Sequence, residues 1–80
     1  MEKDILVFGA DFCASCKGYK QRLKTLGIPF TEIDAEEEVD LANKYSIRTL
    51  PTTILLENDK VVAKFVGFLK DDDIKKYLAY

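Results

Sequence analysis

An α/β fold in the order strand, helix, strand, helix, strand, strand, helix is what the sequence predicts, and three observations lead to it. The run Ile5-Leu6-Val7-Phe8 is continuously apolar, as a strand covered on both faces would be. Tyr19, Leu23 and Leu26 then recur at helical spacing among polar residues. Beyond Pro51, two β-rich stretches flank the polar turn Glu57-Asn58-Asp59-Lys60, the pattern of an antiparallel hairpin.

Taken in order, the first apolar run reads as a central strand. A helix follows from about Cys13 to Leu26, and Gly27 stands where a C-cap belongs. Residues 29–33, Pro-Phe-Thr-Glu-Ile, alternate apolar and polar as a short strand. Asp34 then offers an N-cap for a second helix with Glu36-Glu37-Glu38 in its first turn, ending near Tyr45. Residues 52–56 and 61–66 are the hairpin strands. Gly67 interrupts the pattern, and Ile74, Tyr77 and Leu78 mark a last helix behind the acidic first turn Asp71-Asp72-Asp73. The strand-helix-strand half must cross over right-handed to form a parallel pair. Eighty residues, with no linker, repeat or low-complexity segment, are expected to form a single domain over 1–80.

Composition narrows the function. Twelve basic and fourteen acidic residues are interleaved rather than gathered into a basic stripe, which argues against nucleic acid as a partner. The apolar runs are too short to span a bilayer, so no membrane partner is expected. The charged opening Met1-Glu2-Lys3-Asp4 lacks the features of a secretory signal, and a cytoplasmic location is expected. With no histidine, Cys–His nucleophilic catalysis is excluded, and two thiols fall short of the four ligands of a structural zinc site.

The two cysteines carry the chemistry. Cys13-Ala14-Ser15-Cys16 follows a buried strand and begins a helix, and a spacing of three brings the sulfurs within disulfide reach. Cys13 lies at the first turn, where unpaired N–H groups and the helix dipole favour a thiolate, so it is the expected nucleophile. Cys16, one turn further in, is the expected resolving thiol. Lys17 shares the face of Cys13 but reads foremost as a solvated helix residue. Leu50-Pro51-Thr52 places a proline at a strand start, where one is tolerated.

The stretch I-L-V-F-G-A-D-F-C-A-S-C-K, residues 5–17, resembles the active-site strand and helix start of thioredoxins. Residues 33–52, I-D-A-E-E-E-V-D-L-A-N-K-Y-S-I-R-T-L-P-T, followed by Val66-Gly67, resemble the segment leading to that family's cis-proline and later glycine. The resemblance implies a minimal thioredoxin fold, with a four-stranded mixed sheet ordered 2-1-3-4 and helices on both faces. It also implies a cis Pro51 facing the cysteines, and a groove in which the Leu50 backbone, Gly67 and Phe12 receive a substrate strand. Departures are visible: Phe12 stands where the family usually has Trp, Ala14-Ser15 where it has Gly-Pro, and Val7 where many members have a buried acid. The shortened start resembles glutaredoxins, but their Pro-Tyr dipeptide is missing and their glutathione pattern is met only by Gly67 and Asp71-Asp72. The expected activity is reduction of protein disulfides by a monomer with no bound cofactor, its electrons supplied by a flavoprotein reductase or by glutathione. An iron–sulfur cluster held by two chains through Cys13 is the rival from a different class.

Overall fold

The computed structural model of the chain describes residues 3–78. Its elements are β1 (Lys3–Gly9), α1 (Ala14–Thr25), β2 (Thr31–Asp34), α2 (Val39–Lys44), β3 (Thr52–Glu57), β4 (Lys60–Val66) and α3 (Asp71–Asp73), which runs on as one wider π turn over Ile74–Leu78. The four strands form one sheet in the order β2-β1-β3-β4, as the sequence implied. β1 pairs parallel with β2, from Leu6 opposite Thr31 to Gly9 opposite Asp34. It pairs antiparallel with β3, from Lys3 opposite Glu57 to Phe8 opposite Thr52. The β3–β4 turn is tight because Asn58 and Asp59 both take left-handed φ angles of 52° and 67°, which these two residue types tolerate.

Side chains alternate across a strand, so each strand feeds both faces of the sheet. On one face Ile5, Val7 and Leu55 meet Tyr19 and Leu23 of α1 and Ile74 and Leu78 at the chain's last helical turn. On the other, Phe8, Ile54, Leu56 and Ile33 meet Ala42 of α2, with Leu41 and Tyr45 partly buried beside them. Each large side chain buried this way contributes about 1.5–3 kcal/mol of transfer free energy.

Three expectations need correction. Asp34 does not cap α2: its Oδ1 accepts from the N–H groups of Glu36 and Glu37, at 2.8 and 3.3 Å, and closes a separate turn. Glu36-Glu37-Glu38 therefore precede the helix, whose N-cap is Glu38 with no side-chain cap bond. An Asx turn and a helix N-cap use the same side chain and spacing, so the sequence alone does not separate them. The second strand starts two residues later than expected, at Thr31, with Pro29 outside the ladder. Finally, Cys13 is the N-cap of α1 and not its first helical residue.

Candidate active site: a disulfide at the start of α1

β1 ends at Gly9, and the chain turns through Ala10, whose carbonyl accepts the Cys13 N–H at 3.0 Å. That turn sets Cys13 in an extended conformation with the helix beginning behind it. Cys13 and Cys16 are joined in a disulfide, with Cα atoms 5.2 Å apart. Their environments differ. Cys13 is half-buried, whereas Cys16 is fully buried against β1. The Cys13 sulfur accepts the backbone N–H of Cys16 at 3.2 Å, the place an N-cap oxygen takes in other helices. When the bond is reduced, the same N–H and the positive end of a twelve-residue helix face the Cys13 sulfur and favour its thiolate. Ser15 Oγ stands 3.5 Å from that sulfur, on the exposed side.

The other residues expected at the site come to the same end of the sheet. Thr52 pairs with Phe8 on one side and Val66 on the other, so the start of β3, the end of β4 and the end of β1 lie side by side. The Leu50–Pro51 peptide bond is cis and Pro51 is fully buried. Its carbonyl accepts the Gly67 N–H at 2.8 Å, which ties Pro51 to Gly67 across the two strands. Gly67 has φ +92°, a backbone region that glycine enters without strain. Leu50 packs its side chain into the core beside Phe8. Phe12 projects outward with 72% of its surface exposed. Lys17 is exposed, and its backbone N–H, at 3.3 Å from the Cys13 carbonyl, closes the first helical hydrogen bond.

Several neighbouring interactions carry no signal in the sequence. Val66 and Phe68, on either side of Gly67, are exposed apolar groups, and the Phe68 ring packs at a tilt against Tyr19 of α1 with centroids 5.3 Å apart. The Tyr19 hydroxyl is hydrogen-bonded to Thr53 Oγ1 at 2.8 Å, and burial pushes its ionisation up, so it stays neutral. Arg22 grips Asp71 through two hydrogen bonds and so fastens α1 to α3. Lys20 Nζ bonds Glu32 of β2 at 2.5 Å. A helical spacing of four from Cys16 was the one available signal for Lys20. Among the described residues, no group of three or more His, Cys, Asp or Glu side chains is arranged to hold a metal ion.

Comparison with known proteins agrees with this geometry. A family profile described as Thioredoxin matches residues 1–80. Mitochondrial thioredoxin of Mus musculus is 29% identical over 80 residues, covering 92% of this chain and 48% of that protein. Thioredoxin-1 of Caenorhabditis elegans is 32% identical, covering 95% of this chain and 70% of its own length. A solved thioredoxin variant from Halobacterium salinarum superposes with a TM-score of 0.86 at 28% identity, covering 95% of this chain and 71% of the other. The chain thus spans about half the length of the mitochondrial thioredoxins it matches.

Proposed function

The chain belongs to the thioredoxin family, and from that premise we propose that it reduces protein disulfides through Cys13 and Cys16. The observation that carries the reading is the unequal setting of the two sulfurs: one half-exposed at a helix N-cap, the other buried one turn behind it. In the reduced protein the Cys13 thiolate attacks a target disulfide. A bond forms between Cys13 and one target sulfur, and the other target sulfur leaves and takes a proton from solvent. Cys16 then attacks the Cys13 sulfur, releases the second target thiol and leaves the Cys13–Cys16 disulfide. Two electrons have passed to the target.

The target is an extended segment lying over the Leu50 backbone and Gly67, with Phe12, Val66 and Phe68 as an apolar rim. Support for this comes from the shared sheet end and the exposure of those three side chains. The electron donor is a flavoprotein reductase rather than glutathione. Asp71, one of the few residues matching a glutathione pattern, is engaged by Arg22. The setting is a reducing compartment, the cytoplasm, which returns the disulfide to a dithiol between cycles.

The test is a trapping experiment with insulin as the disulfide target. Cys16→Ser accumulates a covalent adduct that external thiol releases, and Cys13→Ser forms almost none. Equal trapping by the two variants would overturn the assignment. Turnover of the wild-type protein with NADPH and a flavoprotein thioredoxin reductase, against turnover with glutathione and its reductase, identifies the donor.

A further inference from the structure

The resolving step asks Cys16 to give up a proton, and in the disulfide form its exposure is 0%. A thiol in apolar surroundings holds its proton more tightly. One charge nevertheless stands close to it. Lys20 lies four residues beyond Cys16 on α1, on the same helical face. Its Nζ and the Cys16 sulfur lie 3.8 and 3.5 Å from a single point, the position a Cβ would occupy on Gly9, so their separation is at most those two lengths end to end. Gly9 leaves the room for this: a Cβ there would stand 3.1 Å from the Cys16 Cβ. The Lys20 side chain is only 14% exposed, and Glu32, which holds it, is 54% exposed at the rim.

The remaining groups on the elements around Cys16 are uncharged, exposed or already paired. On α1, Cys13 is its disulfide partner, Lys17 is exposed, and the Tyr19 hydroxyl is neutral and bonded to Thr53. β1 supplies Val7 and Gly9, which do not titrate, and β3 supplies Thr52 and Thr53, which carry no charge. Asp11, in the loop before Cys13, is exposed. Glu32 is the acid that β2 brings to the pair.

We propose that Lys20, oriented by Glu32, sets the charge balance at Cys16 and favours the thiolate that resolves the mixed disulfide. This rests on the dithiol reading above and assigns Lys20 a positioning role in it. The Cys16 proton passes to solvent, the thiolate forms its bond to the Cys13 sulfur, and the departing thiol is protonated from solvent.

The experiment mixes reduced protein with the aromatic disulfide dithiobis(nitrobenzoate) and follows the two successive releases of coloured thiol across pH. The first release reports attack by Cys13 and the second reports attack by Cys16. Lys20→Met slows the second release roughly tenfold near neutral pH and moves its midpoint upward, while Lys20→Arg restores it. Glu32→Gln retains an oxygen that accepts from Lys20 but leaves the ammonium uncompensated, so its midpoint moves downward. Should Lys20→Met fail to fold by circular dichroism, the downward shift of Glu32→Gln, at an exposed strand position, carries the test alone. An unmoved midpoint in a folded Lys20→Met, or shifts in the same direction for both variants, overturns the proposal and leaves the dithiol reading standing. Absence of a second release from the wild-type protein overturns both.

Discussion

α1 and α2 cover opposite faces of one sheet and stop in the same way, yet they are fastened very differently. At the end of α1, Gly27 donates to Lys24 O and Ile28 to Leu23 O. At the end of α2, Ser46 donates to Asn43 O and Ile47 to Ala42 O in the same pattern, with Ser46 at φ +54° where α1 has Gly27 at +74°. The stop is therefore a matter of local hydrogen bonding, and the hold is a matter of tertiary anchors. α1 buries Cys16, Tyr19 and Leu23 and is pinned by side chains to β3, β2 and α3. α2 has six residues, buries Ala42 and has no side-chain N-cap. The tertiary anchors are concentrated on the helix that carries the cysteines, where a small tilt would move one sulfur relative to the other.

The contrast breaks most readily in the core. Leu23→Ala on α1 should cost about 2–5 kcal/mol, because the side chain is fully buried and its neighbours are fixed. Leu41→Ala on α2, where the side chain is only partly buried, should cost about 1 kcal/mol. Urea unfolding midpoints at unchanged slope measure both, and equal losses would erase the distinction between the two helices.

The polar anchor sharpens the comparison further. Tyr19→Phe leaves the buried Thr53 hydroxyl without its partner and should cost about 1–2 kcal/mol. Adding Thr53→Val should recover most of that, and a double variant as unstable as the single one would show that the bond is not the cause. Ser46→Gly should stabilise the protein by about 1 kcal/mol, since it removes a side chain from a left-handed backbone. A thermal midpoint that fails to rise would mean that the αL conformation at Ser46 is not strained. The Lys64 ammonium, which donates to the Tyr45 and Ser46 carbonyls, touches backbone only and should be indifferent to that change.

The smallest effect belongs to Arg22 and Asp71. Hydrogen bonding from Arg22 holds the Asp71 carboxyl below its usual 3.8, so the pair's contribution is present above that value and is lost as pH falls below it. Asp71→Asn should lower stability slightly at neutral pH and flatten the acid limb of the stability curve by the same small amount, small because both side chains are well exposed. Thermal midpoints between pH 2 and 7 check this, and an unchanged acid limb would detach the pair from acid stability.

Periodicity made the order of elements legible, and spacing the cysteine pair, because each rests on residues close in sequence; the sheet order was legible through the family resemblance. Tyr19 and Leu23 announced themselves as a buried face, and Gly27 as a stop. What stayed hidden lies in pairings between distant segments. Lys20 reads as one more polar helix position until Glu32, twelve residues away on β2, is seen to hold it. The Tyr19–Thr53 and Arg22–Asp71 bonds span still longer separations. Ser46 carries no glycine to advertise its left-handed turn, and Asp34 serves an Asx turn that looks like a helix cap.

The place of β1 at the centre of the sheet has a consequence for the newly made chain. β1 leaves the ribosome well before either neighbour: β2 begins at Thr31, and the antiparallel partner β3 ends at Glu57. Until β3 emerges, Leu6, Val7 and Phe8 have an unpaired edge and no complete core, and a nascent chain in that condition is open to chaperones and to wrong partners. Ribosome-arrested chains ending before Thr52 should be cut readily by protease near β1, and chains long enough to expose Glu57 and the hairpin beyond it should resist. Translation speed through residues 31–57 thus decides how long the sheet's central strand waits for its second edge.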